Sequence, residues 1–298
     1  MAREGRRRRV LLAALLLAVL AAALAWHWRP VTARPALWRI SQGDRHGWLF
    51  GTIHAVPSGA RWLSPEIEKA AGESDLLVLE AAGLEAERSD RRVFEALGRS
   101  PGLPPVAARL SAADRPGLDA LRRGSPRALK DLDGYEDWAA ALLIGAATDI
   151  GASSQDAPEA RLEKLFRGGG KPVRGLETIE AQLGRFDTLP ATDQSALLHQ
   201  AIAESGDAAR QYRLLYDRWA AGDVAALDAQ FLQPLARSPH LREVLIDQRN
   251  ELWAQAVDKL LRENRKTAFV AVGAGHLLGP GSVQARLARR GWKVVRVQ

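Results

Sequence analysis

Two histidines and two glutamates each stand just beyond a short apolar run. His54 follows Leu49-Phe50-Gly51-Thr52-Ile53, Glu80 follows Leu76-Leu77-Val78-Leu79, Glu177 follows Lys171-Pro172-Val173-Arg174-Gly175-Leu176, and His276 follows Thr267-Ala268-Phe269-Val270-Ala271-Val272 and a glycine-rich turn. Imidazole nitrogen and carboxylate oxygen together suit Zn, Mn, Fe or Co. A cation held by them polarises a carbonyl and lowers the pKa of a bound water, which is the chemistry of metal-assisted hydrolysis, and a spare glutamate can act as general base. His54, Glu80, Glu177 and His276 are therefore candidate catalytic residues and metal ligands. The chain has no cysteine, so disulfides, thiolate ligands and a cysteine nucleophile are excluded.

Each of these residues also has a plainer reading. A histidine at a strand end is commonly a hydrogen-bonded structural residue, Glu80 could be a solvated strand terminus, and Glu177 could cap a helix beginning near Thr178. Against this, a carboxylate closing an apolar strand is expensive to bury unless it is paired or metal-bound. Three Gly-x-x-His strings occur, and that of His46 is a decoy, because His54 and His276, unlike it, each follow a buried apolar strand at a glycine-containing turn. Arg249, in Asp247-Gln248-Arg249-Asn250, reads as a surface residue of a helix whose apolar face is Val244, Leu245, Leu252 and Trp253. Ser153-Ser154 lacks the Gly-x-Ser-x-Gly context of a nucleophile elbow.

Short apolar runs bounded by Gly, Ser or Asp fit central strands. Trp38-Arg39-Ile40 and Trp48 to Gly51 read as a strand pair joined at Gly43-Asp44, and Lys293 to Val297 as the last strand. Ser64-Pro65-Glu66 opens a helix that runs to Glu73: Ser caps, Pro suits the first helical position and Glu favours the positive end of the dipole. From 88 to 166 and from 178 to 265, apolar residues recur at three- and four-residue spacing, among them Trp138, Leu142 and Ala146. The expected class is α/β (α+β): a small mixed sheet built from both ends of the chain, with a large helical middle. In such folds ligands collect at the carboxyl ends of the strands.

The chain has 298 residues, 47% of them hydrophobic, enough for a sizeable core. Its formal charge of +7 suggests a polyanion partner, but the first 25 residues hold five Arg against one Glu, leaving only +3 for the rest. No nucleic-acid role is therefore expected. That N-terminal piece has a basic cluster, sixteen apolar residues from Val10 to Ala25 and an Ala23-Leu24-Ala25 triplet, as export signals do. With Trp26 and Trp28, residues 10–28 could instead serve as a membrane tether. Residues 1–29 are read as signal peptide or anchor and 30–298 as one domain, exported to the periplasm or held on the inner membrane facing it.

Trp38-Arg39-Ile40, Leu49 to His54, Leu76 to Glu80, Gly170-Lys171-Pro172-Val173-Arg174-Gly175-Leu176-Glu177-Thr178 to Leu183, Arg249-Asn250, and Val270 to Leu277 together resemble the TraB/GumN family over residues 36–297. The resemblance implies a ChaN/Tiki-like fold and, by analogy with the Tiki metalloproteases, hydrolysis of a peptide or protein substrate with Mn or Co. It also raises Arg249 to a catalytic candidate, stabilising substrate or developing negative charge, with Asn250 beside it. One departure is Ala157-Pro158-Glu159, where such proteins often carry an Asp, so Glu159 keeps the charge on a longer arm. The alternative function is a non-catalytic module that binds a peptide, haem or a metal in the same cleft.

Overall fold

A computed structural model describes residues 33–298 of the chain, apart from 83–85, 236–237 and 264–265. The N-terminal segment 1–29 read as signal or anchor lies outside the described residues. Six strands form one sheet in the order β4-β3-β5-β2-β1-β6: β1 Leu37–Gln42, β2 Arg45–Thr52, β3 Leu76–Leu79, β4 Val173–Gly175, β5 Ala268–Gly273 and β6 Lys293–Arg296. β1 and β2 form the expected hairpin, turning at Gly43 with φ +61°, a conformation that glycine adopts without steric cost. The strand expected over 171–177 is shorter than its sequence suggested. Lys171 instead sends its ammonium to the carbonyls of Ala71 and Gly72.

Four neighbouring strands, β4, β3, β5 and β2, run parallel, whereas β1 pairs antiparallel with both β2 and β6. The register aligns Leu79 with both Gly175 and Ala271, and Thr52 with Gly273. The carboxyl ends of four strands consequently lie along one edge of the molecule, and the four candidate site residues follow those ends.

Parallel strands are covered on both faces, which is why Leu76–Leu79 and Ala268–Val272 are apolar at every position. Alternate residues face opposite sides. Trp48, Phe50, Leu77, Leu79, Phe269 and Ala271 join one core cluster, covered by helices Pro65–Glu73, Pro158–Gly168, Ala208–Ala220 and Val224–Leu235. Leu49, Leu76, Val78, Val270 and Val272 join the other, against helices Gln248–Glu263 and Val283–Arg289. Ser64 caps the first of these helices by accepting from the Ile67 N–H at 3.3 Å, as expected.

A third core belongs to the helical middle, where helices Arg115–Gly124, Asp137–Ala147 and Ala191–Ser205 bury Leu118, Trp138, Ile144, Leu198 and Ile202. The apolar face of Asp137–Ala147 differs from the expected one: Leu142 is 39% exposed and Ala146 is exposed, while Ala139, Ala140, Ala141 and Ile144 go inside. A small residue at each of 139–141 lets neighbouring helices approach closely, so volume rather than hydropathy selects that face.

Candidate functional site

β3 and β4 end so close together that Gly175 is required there. A Cβ on it would lie 2.9 Å from the Glu177 carbonyl and 3.0 Å from the Ala82 amide nitrogen, both backbone atoms. The Leu176 and Glu177 N–H groups donate to the carbonyl of Glu80 at 3.0 and 2.9 Å. Glu80 and Glu177 are thereby brought side by side, and both are largely buried.

Between them lies Arg249. Its Nη2 donates to Glu80 Oε2 and to Glu177 Oε1, each at 2.6 Å, and its Nε donates to the same Glu177 oxygen at 3.1 Å. A five-residue π-helical turn, Glu243–Asp247, immediately precedes the Gln248–Glu263 helix and supplies the Leu245 carbonyl, which accepts from Arg249 Nη1 at 3.3 Å. The guanidinium also lies 4.4 Å from the ring centre of Trp253, one helical turn on. Arg249 is thus buried, not the surface residue that the helix alone suggested, and Leu252 is the exposed member of that face, at 51%. Two carboxylates on the strand ends pair with it there, so the buried charge is not left uncompensated.

His276 completes the buried cluster from the turn after β5. Its Nδ1 is 2.7 Å from Asn250 Oδ1, and Asn250 Nδ2 donates to the Gly281 carbonyl at 3.0 Å. The amide oxygen must accept, so Nδ1 carries the proton and Nε2 accepts from Arg249 Nη1 at 3.1 Å. Burial holds this imidazole far below its ordinary value, down to about 3, with Arg249 working in the same direction and Glu80 against it. At neutral pH it is uncharged. Burial pushes the Glu80 carboxyl up, but His276 in its charged form, the Arg249 guanidinium and the Gly273 N–H at 2.7 Å hold it below the ordinary carboxylate value. The charge of His54 adds to the lowering, more weakly.

His54 stands apart from this direct contact. Its side chain is 81% exposed, and Nδ1 lies 3.1 Å from Glu159 Oε1, which also accepts from Thr52 Oγ1 at 2.6 Å. The hydrogen bond to Glu159 raises the ring to about 9, against desolvation by the protein around it, with the charges of Glu159 and Glu80 adding and Arg249 opposing. The ring is exposed to solvent yet feels the fields of Glu80 and Arg249. Glu159 reaches it from helix Pro158–Gly168, so the longer arm does not prevent pairing. All five sequence candidates, His54, Glu80, Glu177, Arg249 and His276, therefore gather at one end of the sheet, and His46 lies elsewhere, in β2 near Thr267.

For a divalent cation the donors are right in kind, and Glu159 Oε2 and Glu177 Oε2 are buried with no hydrogen-bond partner, which a cation would remedy. They are not gathered as ligands: among the described residues no three His, Asp or Glu groups are placed to hold an ion. Arg249 supplies the positive charge between Glu80 and Glu177.

A model of the TraB/PrgY/gumN family matches residues 36–296. The chain belongs to this family. Two similar relatives are the uncharacterized protein YbaP of Shigella flexneri and that of Escherichia coli (strain K12), each 26% identical over 255 residues that cover 85% of this chain and 92% of the relative. No solved structure matches.

Sequence reasoning did not single out Thr52, Gln182 or Arg185. Gln182 Nε2 donates to Glu80 Oε2 at 3.4 Å, and Arg185 Nε is 3.8 Å from Glu177 Oε2. The available signal was spacing: Thr178 caps helix Ile179–Asp187 by accepting from the Ala181 N–H, and residues 182 and 185, four and seven further on, share its face.

Proposed function

We propose that the chain is a hydrolase acting at this strand-end cluster, with a peptide or protein as substrate. The observation that carries the proposal is the open His54–Glu159 dyad beside a buried guanidinium fixed by two glutamates. Glu159 accepts from Nδ1 of His54, which leaves Nε2 to exchange a proton with a water or substrate group. It also stabilises the imidazolium that forms when the ring acts as base, in the manner of a carboxylate orienting a catalytic histidine. Arg249, whose nitrogens are all engaged by Glu80, Glu177, His276 and the Leu245 carbonyl, would act on developing negative charge through its own charge and not through a free donor. His276 stays neutral and, through Asn250, fixes where Arg249 Nη1 points.

A metal-dependent form of this reading is supported by the two unpartnered carboxylate oxygens. Mn or Co, or Zn or Fe, would have to draw the separated donors His54, Glu80, Glu177 and His276, with Glu159, together, since of their carboxylate oxygens only Glu159 Oε2 and Glu177 Oε2 are unpartnered now, and would then supply carbonyl polarisation and an acidified water. Export, to the periplasm or onto the inner membrane through residues 10–28, is proposed from the N-terminal composition. Among the described residues no helix is long and apolar enough to cross a membrane.

The test is cleavage of a mixed peptide library by purified full chain, with and without chelator and added Mn or Co, beside His54→Ala and Glu159→Gln. Cleavage lost in His54→Ala and reduced in Glu159→Gln supports the proposal, and loss on chelation with recovery on Mn or Co supports its metal-dependent form. Retention of a peptide, haem or metal without turnover would replace the hydrolase by a binding module.

A further inference from the structure

Arg185 is a mostly buried guanidinium whose buried Nε makes no hydrogen bond. Its side chain is only 20% exposed, and its one ion pair among the described residues, to Glu177 Oε2, spans 3.8 Å. That separation is beyond a hydrogen bond, and Glu177 Oε2 is itself unpartnered. Arg109 and Arg290 also leave Nε unpaired, but each gives an Nη group to a carboxylate, Asp137 and Glu251 respectively. Arg249 uses all three nitrogens. Arg185 alone among these four has no carboxylate of the described residues within hydrogen-bond distance.

Leaving donors of a mostly buried guanidinium unmade is costly, and the group has five N–H donors in a planar fork that matches a carboxylate. Its position is also set. Helix Ile179–Asp187 starts directly after Glu177, and on the same face Gln182 reaches Glu80. Glu177 stands between two guanidiniums, Oε1 against Arg249 and Oε2 towards Arg185.

We propose that Arg185 is a specificity-determining residue that receives a carboxylate of the ligand entering this cluster, with Glu177 Oε2 steering the guanidinium into place. The proposal deepens the hydrolase reading and rests on its assignment of the substrate to this end of the sheet. The carboxylate is either the free C-terminus of a peptide or an acidic side chain, and both present the same two oxygens.

Calorimetric titration of the full chain in detergent distinguishes these sources, using acetyl-Ala-Ala with a free carboxylate, acetyl-Glu-amide, and acetyl-Ala-Ala-amide. At least one of the first two is expected to bind, and the neutral amide to bind about tenfold more weakly or worse, the cost of losing a charge-assisted hydrogen bond. Arg185→Gln should remove that preference and Arg185→Lys retain part of it, so the Lys variant carries the test if the Gln variant fails to fold. Equal binding of amide and carboxylates, no binding of any of them, or an unchanged preference in Arg185→Gln, would overturn the proposal. Because binding is read without turnover, a protein that prefers carboxylates yet cleaves no peptide overturns the hydrolase and leaves Arg185 its role. Cleavage indifferent to ligand charge does the reverse.

Discussion

Arg249 decides whether the two strand-end glutamates can be buried at all. Each gives it an oxygen at 2.6 Å, and removing one partner of a buried ion pair leaves an uncompensated charge that costs more than the pair contributed. Arg249→Met is therefore expected to destabilise the fold by about 3–5 kcal/mol in urea unfolding. The double variant Arg249→Met/Glu177→Gln should recover part of the loss, and a purely additive result would show that the two residues are not coupled. His54 calls for a different measurement, since its ring is exposed and its charge state, not its packing, is at issue. Glu159→Gln removes the carboxylate that favours the imidazolium. The ring's midpoint in an NMR titration should then fall from the region of 9 towards the ordinary histidine value of about 6.5. If His54 is the base, wild-type activity rises with pH towards 9, and in the variant the limb moves to lower pH at a reduced plateau.

At the scale of elements, the site exists because four strands are parallel and in register. Thr52 opposite Gly273, and Leu79 opposite both Gly175 and Ala271, place four strand ends together. The strands, the Ser64 cap and the chemistry-bearing residues beyond the strand ends were legible in the sequence, because apolar runs and turn residues are local signals. The burial of Arg249 was not, since it depends on two glutamates 72 and 169 residues away, and it was approached only through family resemblance. Leu142 and Leu252 were assigned inward because periodicity gives a face but not the volume of what packs against it. Gly175 allows a test at this scale. A methyl group there would press on two backbone atoms at 2.9 and 3.0 Å, which cannot swing aside as a side chain can. Gly175→Ala should force β3 and β4 apart, destabilise by about 1–3 kcal/mol, and loosen the Glu80–Glu177 pair, lowering any activity. A crystal structure of the variant with that pair unmoved would refute the geometric role given to this glycine.

Across the whole molecule the cluster sets a pH window for the fold. His276 is held near 3 when folded and returns to about 6.5 when unfolded, so between these values the unfolded chain binds the extra proton. Stability then rises with pH up to about 6.5 and is lost as pH falls below it, by at most about 1.4 kcal/mol per pH unit for one proton. Glu80, depressed in the fold, acts in the same direction at lower pH. His54 has the opposite sign: its raised value stabilises the fold fully below about 6.5, and that contribution fades as pH rises towards 9, weakly because the ring faces solvent. The stability optimum of the metal-free protein is thus expected near pH 6.5–7, with the steeper flank on the acid side. Urea unfolding from pH 4 to 9 measures it. His276→Gln should flatten the acid flank, even if it lowers stability throughout, because the acid slope depends on a titrating ring and not on packing. An acid flank equally steep in that variant would mean that other groups govern acid unfolding and that the neutral His276 inferred from Asn250 and Arg249 is wrong.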